Sequence, residues 1–383
     1  MRDAGGEPVL LRLPARQPSG GVALAREWMA DLVEVQCSIA DLDALLLHAD
    51  LLEDFAGMLV AALRMDLPTV CAAPENLSLS AALFALGLAP GIGEPAHMAV
   101  SLAKSDGPRP RGLIDNFSLA NALRAGVASG GGPELLVHLA ALAREGGVAG
   151  FDQMIRVLAP ETAEAAPAWF HEHGVPGLLS SLGDTLHDIP TVVGNLKENL
   201  PSAPPTPYHH ARLVFVRARA SGAEAVCRVR EGVTEAAGEC RVFVSEEAAV
   251  AGVRRGEVEE GMMIVVGSCG PRGGPGLLRL EDLGRALREA ELEVPVLTDG
   301  LAPQGAVGTW ISLFTPEATE GSVLGLLRDG DTIRIDFAEG RIRTGATGLE
   351  NREPGEFPDR ADTAYASRYV RSALPALEGA GFA

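Results

Sequence analysis

The feature that most constrains the fold is a proline-rich run, Pro201–Pro207, near the middle of the chain. Proline fixes φ and lacks a backbone N–H, so such a run cannot continue a helix or a central strand and acts as a stiff spacer. A chain of 383 residues is long enough to build a core on each side of it. We therefore predict an N-terminal domain over residues 1–200, a linker at 201–207, a second domain over 208–349, and a charged tail, 350–383.

Before the linker, helical periodicity alternates with short apolar runs. Asp54–Arg64 has apolar residues three and four apart, and the runs Ala44–Leu47 and Leu67–Cys71 flank it. Strands that alternate with helices favour βαβ units, so we expect an α/β chain whose N-terminal α/β/α domain contains a parallel sheet. Further helices are predicted at Val22–Val35, Ser78–Leu88, Asn116–Ala128, Pro133–Glu145, Gly150–Leu158, Gly174–Leu182 and around Thr191–Leu200.

Beyond the linker the period changes from that of helices to that of strands. Polar and apolar residues alternate, which predicts a β-rich barrel or sandwich with a few helices. The predicted strands are Arg212–Arg219, Ala225–Val229, Arg241–Val244, Met262–Val266, Val294–Leu297 and Thr332–Phe337. A helix is predicted at Leu280–Glu289 and another around Ala364–Leu377, which we expect to dock on a partner subunit.

Charge and hydropathy exclude several classes of partner. A formal net charge of −19 argues against nucleic acid, because phosphate binding requires clustered cations. No apolar run reaches the roughly 18–20 residues that a membrane-spanning helix needs. Met1–Pro8 contains two acids and lacks the apolar core of a secretory signal, so we expect a cytoplasmic protein. The five cysteines show no paired spacing and are expected to be reduced and structural.

A glycine-rich loop, Gly270–Gly276, follows the predicted strand Met262–Val266. Backbone amides exposed in such a loop can hold an anion. Glycine and proline also punctuate ordinary turns, and this is their commoner role. No Gly-Lys-Ser/Thr follows, which argues against a nucleotide phosphate loop. Taken alone, the loop is predicted to be a structural turn, with anion binding as the alternative.

The loop is one of several segments of the chain that resemble a known family. The C-terminal half is similar to the C-terminal domain of the dihydroxy-acid and phosphogluconate dehydratase family in five segments: TPYHHARLVFV (206–216), RVFVSEEAAV (241–250), MMIVVGSCGPRGGPG (262–276), VLTDG (296–300) and FTPEATEGSVLGLLRDGDTIRID (314–336). DFAGMLVAALRMDLPTV (54–70) and LLVHLAALAREGGVAGFD (135–152) resemble segments of its N-terminal domain. The resemblance implies an α/β domain, a β-barrel domain, and a homodimer whose active site lies between domains.

The family's chemistry, as the resemblance implies it, removes water from a vicinal diol acid. An iron–sulfur cluster acts as the Lewis acid, magnesium orients the substrate and a serine is the base, which together require thiolate ligands, hard oxygen ligands and a nearby proton acceptor. The resemblance aligns Leu51–Glu53 with the family's Cys-Asp-Lys and Cys269 with a metal-binding glutamate. It aligns Pro303 with the base and Leu313 with a histidine. We therefore predict no cluster, no metal site and no cofactor.

The remaining polar groups give four candidate catalytic residues: Cys269, Asp299, His209 and His210. Cys269 is either a nucleophile or, as we favour, a small residue that fills the space of a lost ion. Either histidine could act as a base, although a structural role between domains is the commoner one. Asp299 is an acid at the old catalytic rim or, more commonly, a turn-stabilising residue. The expected pocket is lined by Leu51, Leu52, Glu53, Leu301, Ala302, Pro303, Trp310 and Leu313.

Two functions fit this pattern. In the first, the scaffold is a cofactor-independent cyclase, isomerase or lyase that acts on a fairly apolar small molecule in bacterial specialised metabolism. In the second, it is a non-catalytic pseudoenzyme that binds a ligand or stabilises a partner enzyme. The first is favoured because the chain retains the full two-domain frame. An open apolar pocket with an acid or histidine would support the enzyme, whereas a filled site would support the pseudoenzyme.

Overall fold

The computed structural model describes residues 1–14, 20–90, 93–209, 212–219 and 221–383. The chain forms two compact units, and each is discontinuous in sequence. The first comprises Met1–Pro18 and Ala25–His210, and the second comprises Ser19–Leu24 and Ala211–Ala383. The predicted fold class is confirmed: helices surround a parallel sheet in the first unit, and a closed eight-stranded β-barrel forms the second.

The first unit has a βαβ motif at its centre. Strands β1 and β2 pair in parallel, with Leu45 opposite Thr69, and helix α2 lies between them in sequence. The predicted sheet is therefore present, but it has only two strands. The elements are α1 (Val22–Ile39, which begins in the second unit), β1 (Leu45–Leu47), α2 (Leu52–Met65), β2 (Thr69–Cys71), α3 (Leu77–Ala85), α4 (Pro95–Ser105), α5 (Pro110–Leu113), α6 (Asn116–Ala128), α7 (Pro133–Glu145), α8 (Phe151–Glu161), β3 (Glu164–Ala165), α9 (Pro167–Leu182) and β4 (Tyr208–His209).

The best-predicted helices have clear starting signals. Helix α6 begins after Asp115, whose carboxylate accepts hydrogen bonds from the amides of Phe117 and Ser118 in a capping box. Helix α7 begins at Pro133, where the missing N–H costs nothing.

The helix predicted around Thr191–Leu200 is wrong. Gly194 has a φ of 64° and interrupts the segment, so only a single 3-10 turn forms, Lys197–Asn199.

The second unit is a barrel with the strand order β10-β6-β5-β12-β11-β7-β8-β9, closed by the pairing of β9 with β10. Strands β7, β8, β9 and β10 are parallel neighbours. The elements are β5 (Arg212–Ala218), β6 (Ala223–Val229), β7 (Glu235–Phe243), α10 (Glu246–Arg254), β8 (Met262–Val266), α11 (Glu281–Glu289), β9 (Val296–Thr298), β10 (Trp310–Thr315), α12 (Val323–Leu326), β11 (Thr332–Asp336), β12 (Arg341–Thr344) and α13 (Ala364–Ser372).

Strand β8 explains how the barrel is packed. Met263 and Val265 belong to one apolar core, together with residues of the other strands. Ile264 and Val266 belong to a second core that includes Leu283 of α11. A strand with both faces covered has a continuous apolar run rather than an alternating pattern, as Met262–Val266 does.

None of the helices in the described residues combines the length and the hydropathy needed to cross a membrane.

The start of α1 is part of the barrel unit. The amides of Gly21, Val22 and Ala23 donate hydrogen bonds to the carbonyls of Pro275, Leu277 and Gly276 at 2.7, 3.0 and 2.7 Å. These donors are orphan N–H groups at or just before the first turn of a helix, which need partners from outside it. The glycine-rich loop therefore supplies the cap of α1.

Candidate functional site

Three loops meet at one edge of the barrel because β8, β9 and β10 are parallel neighbours. The glycine-rich loop Gly270–Gly276 follows β8, Asp299 follows β9, and Glu317 follows β10. The carboxyl ends of parallel strands commonly carry ligand sites, so this edge is the first candidate. Two of the residues that the sequence predicted for the barrel domain, Cys269 and Asp299, lie there.

Glu317 lies inside the glycine-rich loop. Its carboxylate accepts hydrogen bonds from the backbone amides of Arg272, at 3.1 and 3.0 Å, and Gly273, at 2.9 Å. A Cβ at Gly270 would lie 2.5 Å from the Glu317 carboxylate, so glycine is required for this close approach. The loop thus holds an anion, and that anion is the chain's own glutamate. Glu317 is not among the candidate residues that the sequence predicted.

Asp299 connects the other two loops. It is 1% exposed, and its carboxylate accepts hydrogen bonds from the amides of Ser268 at 3.2 Å, Cys269 at 2.8 Å and Ala318 at 2.9 Å. Ser268 and Cys269 follow β8, whereas Ala318 follows β10. The Asp299 side chain therefore ties the loops of three neighbouring strands together, an extended form of the turn-stabilising role that the sequence favoured.

Burial raises the pKa values of both carboxyl groups towards neutral pH. It is the largest cause in each case, and it raises the pKa of Asp299 to about 6 and that of Glu317 to about 7. The charge of Asp299 raises the pKa of Glu317 further, while the backbone amides bound to each carboxylate act in the opposite direction. These two groups change charge in a range where an ordinary aspartate or glutamate is fully ionised.

Cys269 is 0% exposed and lies in an apolar core with Val266, Leu280 and Trp310. Burial, followed by the charge of Asp299, raises the pKa of its thiol well above the ordinary value, although Arg360 acts in the opposite direction. A nucleophilic cysteine reacts as the thiolate, which needs a lowered pKa and access to solvent. This environment matches the space-filling interpretation of Cys269 better than the nucleophilic one.

The other barrel residues predicted for the pocket are buried: Leu301, Pro303, Trp310 and Leu313, with Ala302 half-buried. Leu313 has a φ of 57° at an irregularity in the pairing of β10, a conformation that costs energy in a branched residue. Its amide donates to the carbonyl of Gly300 at 2.9 Å. A cavity of about 10 Å³ lies beside Asp299 and Glu317, and none of these five residues lines it. It has room for about one water molecule.

The predicted residues of the first unit differ in how far they are buried. Leu51 precedes α2 and is 46% exposed, Leu52 is half-buried, and Glu53 is buried in the first turn of that helix. Burial lowers the pKa of the His138 imidazole, and the charge of Glu53 is one of the causes that act in the opposite direction. The backbone of His209 pairs with Glu164 in the β3–β4 ladder. His210 lies outside the described residues.

The residues at the aligned metal-ligand positions do not form a suitable donor set. Leu51 and Leu52 have no donor atoms, and Cys269 is packed in an apolar core. Across the described ranges, no group of three or more histidine, cysteine, aspartate or glutamate side chains could hold a metal ion. An iron–sulfur cluster requires several thiolates and magnesium requires several oxygen ligands, so these residues fit neither group.

A second candidate site lies in the first unit, which contains a cavity of about 980 Å³ that is partly open to solvent. Its walls are the N-terminal stretch up to Pro14, one side of α1, the strand β1 with the loop that follows it, and α4. Leu51 lies on its wall, so one residue of the predicted pocket borders a real cavity. Sequence reasoning missed the cavity because it is formed by four segments that are distant in the chain.

Polar groups are also present around this cavity. The imidazole of His48 and the carboxylates of Asp50 and Asp54 line it near the start of α2, and Lys104 lines it from α4. The motif His48-Ala-Asp-Leu-Leu-Glu-Asp54 is continuous in sequence, and its position after an apolar run was the one available signal. Imidazole and carboxylate groups are the side chains most often used for general acid–base catalysis.

Comparison with known proteins supports the resemblance seen in the sequence. Residues 218–380 match the model of the dihydroxy-acid/6-phosphogluconate dehydratase C-terminal family. The chain is similar to the dihydroxy-acid dehydratase of Citrifermentans bemidjiense, with 32% identity over 255 residues, 60% of this chain and 46% of that protein. The dihydroxy-acid dehydratase of Geotalea daltonii is 29% identical over 312 residues, 73% of this chain and 56% of that protein.

The resemblance to this family is therefore confirmed. The chain spans about half the length of these two relatives. Its alignment with the dihydroxy-acid dehydratase of Akkermansia muciniphila is longer, covering 99% of this chain and 88% of that protein at 26% identity. These relatives are named as dehydratases, which are lyases.

Proposed function

We propose that this chain is a small-molecule-binding member of the dehydratase family that does not carry out metal-dependent dehydration. One observation carries the proposal: the acids and the thiol at the loop edge of the barrel are committed to structure. Asp299 and Glu317 hold backbone amides, and Cys269 lies in an apolar core. A group that already satisfies buried donors is poorly placed to take a proton from a substrate as well.

The chemistry of the aligned positions supports the same proposal. Dehydration of a diol acid needs a Lewis acid for the leaving hydroxyl and a base for the α-proton. Leucines occupy two of the aligned ligand positions, and Pro303, which has no proton-accepting side-chain atom, occupies that of the base. Because the acids and the thiol at the loop edge of the barrel already have structural partners, we favour the pseudoenzyme over the cofactor-independent enzyme.

A cofactor-independent enzyme is the second candidate, and one observation favours it. His48, Asp50 and Asp54 line a large cavity with partly apolar walls, which is the setting in which acid–base groups contact a bound substrate. A cyclase, isomerase or lyase acting on a fairly apolar molecule would use such groups to move a proton. Cys269, Asp299, His209 and His210 remain predictions for this role.

The test of the proposal is cluster reconstitution. The chain would be purified without oxygen, treated with iron and sulfide, and assayed for bound iron, bound magnesium and dehydration of a 2,3-dihydroxy acid and of 6-phosphogluconate. The dehydratase of Citrifermentans bemidjiense, treated identically, is the control. We expect far less than one cluster per chain and no turnover above the protein-free rate. A stoichiometric cluster with turnover would overturn the proposal.

Three further expectations remain proposals. The family resemblance supports a homodimer, which sedimentation velocity at micromolar concentration would test. A role in bacterial specialised metabolism and a cytoplasmic location are supported by the sequence alone. Genes adjacent to this one that encode biosynthetic enzymes would support the first of these two, and fractionation of the source cells would test the second.

A further inference from the structure

We infer that the cavity of the first unit binds a neutral or cationic, largely apolar small molecule. The inference deepens the proposed function and rests on it, because it names the site and the class of ligand. It departs from the family's chemistry, in which the substrate is an acid. Four observations carry it: the size of the cavity, its apolar surface, the charge around it and the seating of its N-terminal wall.

The cavity is large enough for a ligand of drug size. Its volume of about 980 Å³ lies at the upper end of the range of roughly 300–1,000 Å³ that is typical of ligand pockets. Apolar side chains that face unfilled space lose contacts with other side chains. A ligand would restore those contacts.

The cavity has apolar and polar surface in nearly equal parts and is partly open to solvent. Its deeper part is formed by Met29, Val33, Leu46 and Met58, from α1, β1 and α2. Along the N-terminal wall Val9 and Leu10 are 56% and 76% exposed, and Leu51, which also lines the cavity, is 46% exposed. Large apolar side chains exposed together around one cavity indicate a binding surface rather than scattered surface residues.

The charge around the cavity disfavours an acidic ligand. Among its described lining residues, Glu7, Asp41, Asp43, Asp50 and Asp54 carry carboxylates, whereas the ammonium groups are those of Lys104 and of the Met1 α-amino group. The Lys104 ammonium already donates to the carbonyl of Ala4 at 2.7 Å. A ligand carboxylate would therefore meet several like charges and fewer ammonium groups, one of which already has a partner, and like-charge contacts are a usual means of excluding a ligand.

The N-terminal wall is held firmly against α4. The Lys104–Ala4 bond fixes one point, and a Cβ on Gly6 would lie 2.5 Å from the side chain of Val100. The backbone of this stretch thus packs directly on the helix. The wall is a formed part of the site, so the cavity is expected to bind without a large rearrangement.

Two fluorescent probes of similar shape test the inference. N-phenyl-1-naphthylamine is neutral, whereas 1-anilinonaphthalene-8-sulfonate carries a sulfonate, and both brighten in apolar surroundings. We expect the folded full chain to bind the neutral probe saturably with one site per chain, and the sulfonate probe at least tenfold more weakly. Equal affinity for both probes, or no saturable binding of the neutral one, would overturn the inference.

Matched variants locate the binding. Ala103→Phe fills the cavity from α4, and we expect it to weaken binding of the neutral probe at least tenfold. Ala96→Phe is the control, since Ala96 is a half-buried alanine of the same helix that does not line the cavity, and it should change affinity less than twofold. If Ala103→Phe does not fold by circular dichroism, Leu51→Asp replaces it, because Leu51 is exposed on the wall. We expect Leu51→Asp to weaken the neutral probe at least fivefold.

The outcomes separate this inference from the proposed function. Tight binding of the neutral probe that neither Ala103→Phe nor Leu51→Asp weakens would place the ligand elsewhere and would overturn the inference alone. A stoichiometric cluster with dehydration of a diol acid, together with a neutral probe displaced by both variants, would overturn the proposed function and leave the cavity as a binding site.

Discussion

The loop edge of the barrel and the cavity of the first unit use acidic residues in opposite ways. At the loop edge, Asp299 and Glu317 are buried and their carboxylates accept hydrogen bonds from backbone amides. Around the cavity, acids such as Asp43 and Asp50 are exposed beside an apolar wall. An acid beside a glycine-rich loop is thus no sign of catalysis until its hydrogen bonds are counted, whereas open apolar volume indicates a ligand.

The largest expected effect is the loss of Asp299. Asp299→Ala leaves three buried amides without an acceptor, and each such loss costs about 1–3 kcal/mol, so the free energy of unfolding should fall by about 3 kcal/mol or more. Urea denaturation measures it. Asp299→Asn, which keeps one acceptor oxygen, is the control and should lose less. A fall below about 0.5 kcal/mol for Asp299→Ala, the size of an ordinary surface substitution, would contradict its anchoring role.

Glu317 gives the next largest effect. Glu317→Ala leaves the amides of Arg272 and Gly273 without their acceptor and should lower the free energy of unfolding by about 2–4 kcal/mol. Glu378→Ala, at an exposed acid of the same unit, is the control and should change it by less than about 0.5 kcal/mol. Neither variant should change binding of the neutral probe in the first unit. Loss of binding in Glu317→Ala with full stability would remove the distinction between the two regions.

The raised pKa values predict a pH dependence of stability. The pKa of Glu317 is raised from 4.5 to about 7 and that of Asp299 from 3.8 to about 6, so the fold favours the protonated forms. Their contribution to stability is present at low pH and is lost as pH rises from about 4 to about 7, since the unfolded chain releases these protons first. Urea unfolding of wild type and Glu317→Gln at pH 5 and pH 8 measures it. The variant should be more destabilised, relative to wild type, at pH 5 than at pH 8; the reverse order would show that the folded state favours the ionised form.

Cys269 gives the smallest expected effect. Cys269→Ala removes one buried sulfur from the core around Val266 and should cost about 1 kcal/mol. Because the thiol is buried and its pKa is raised, it should not react with Ellman's reagent until the chain unfolds, and the variant should leave the number of fast-reacting thiols unchanged. Loss of one fast-reacting thiol in the variant would restore the nucleophilic interpretation.

Local signals predicted much of the fold. The bounds of Asn116–Ala128, Pro133–Glu145 and Met262–Val266 agree with the structure, because a cap, a first-turn proline and a two-sided apolar run are local features. Helix α4, β10 and β12 were missed. Strand β10 contains the irregularity at Leu313, which breaks the alternation that reveals a strand.

The candidate site was less predictable for a physical reason. The family resemblance brought Cys269 and Asp299 to attention, but the choice between chemistry and structure depends on the groups that each side chain contacts. Those partners come from other loops, as Ala318 does for Asp299. The cavity is a property of unfilled volume, to which a sequence pattern gives no direct signal.

The cap that the glycine-rich loop supplies to α1 has a consequence for how the chain can be divided. More than half of the chain separates Gly21–Ala23 from Pro275–Leu277, yet these residues form one contact within one unit. On a ribosome, Gly21–Ala23 are made long before the glycine-rich loop, so their hydrogen bonds to it can form only after the whole first unit has been synthesised. Cutting at Pro201–Pro207 would therefore yield a C-terminal fragment whose loop carbonyls lack their donors, and a peptide carrying residues 20–24 should bind and stabilise that fragment.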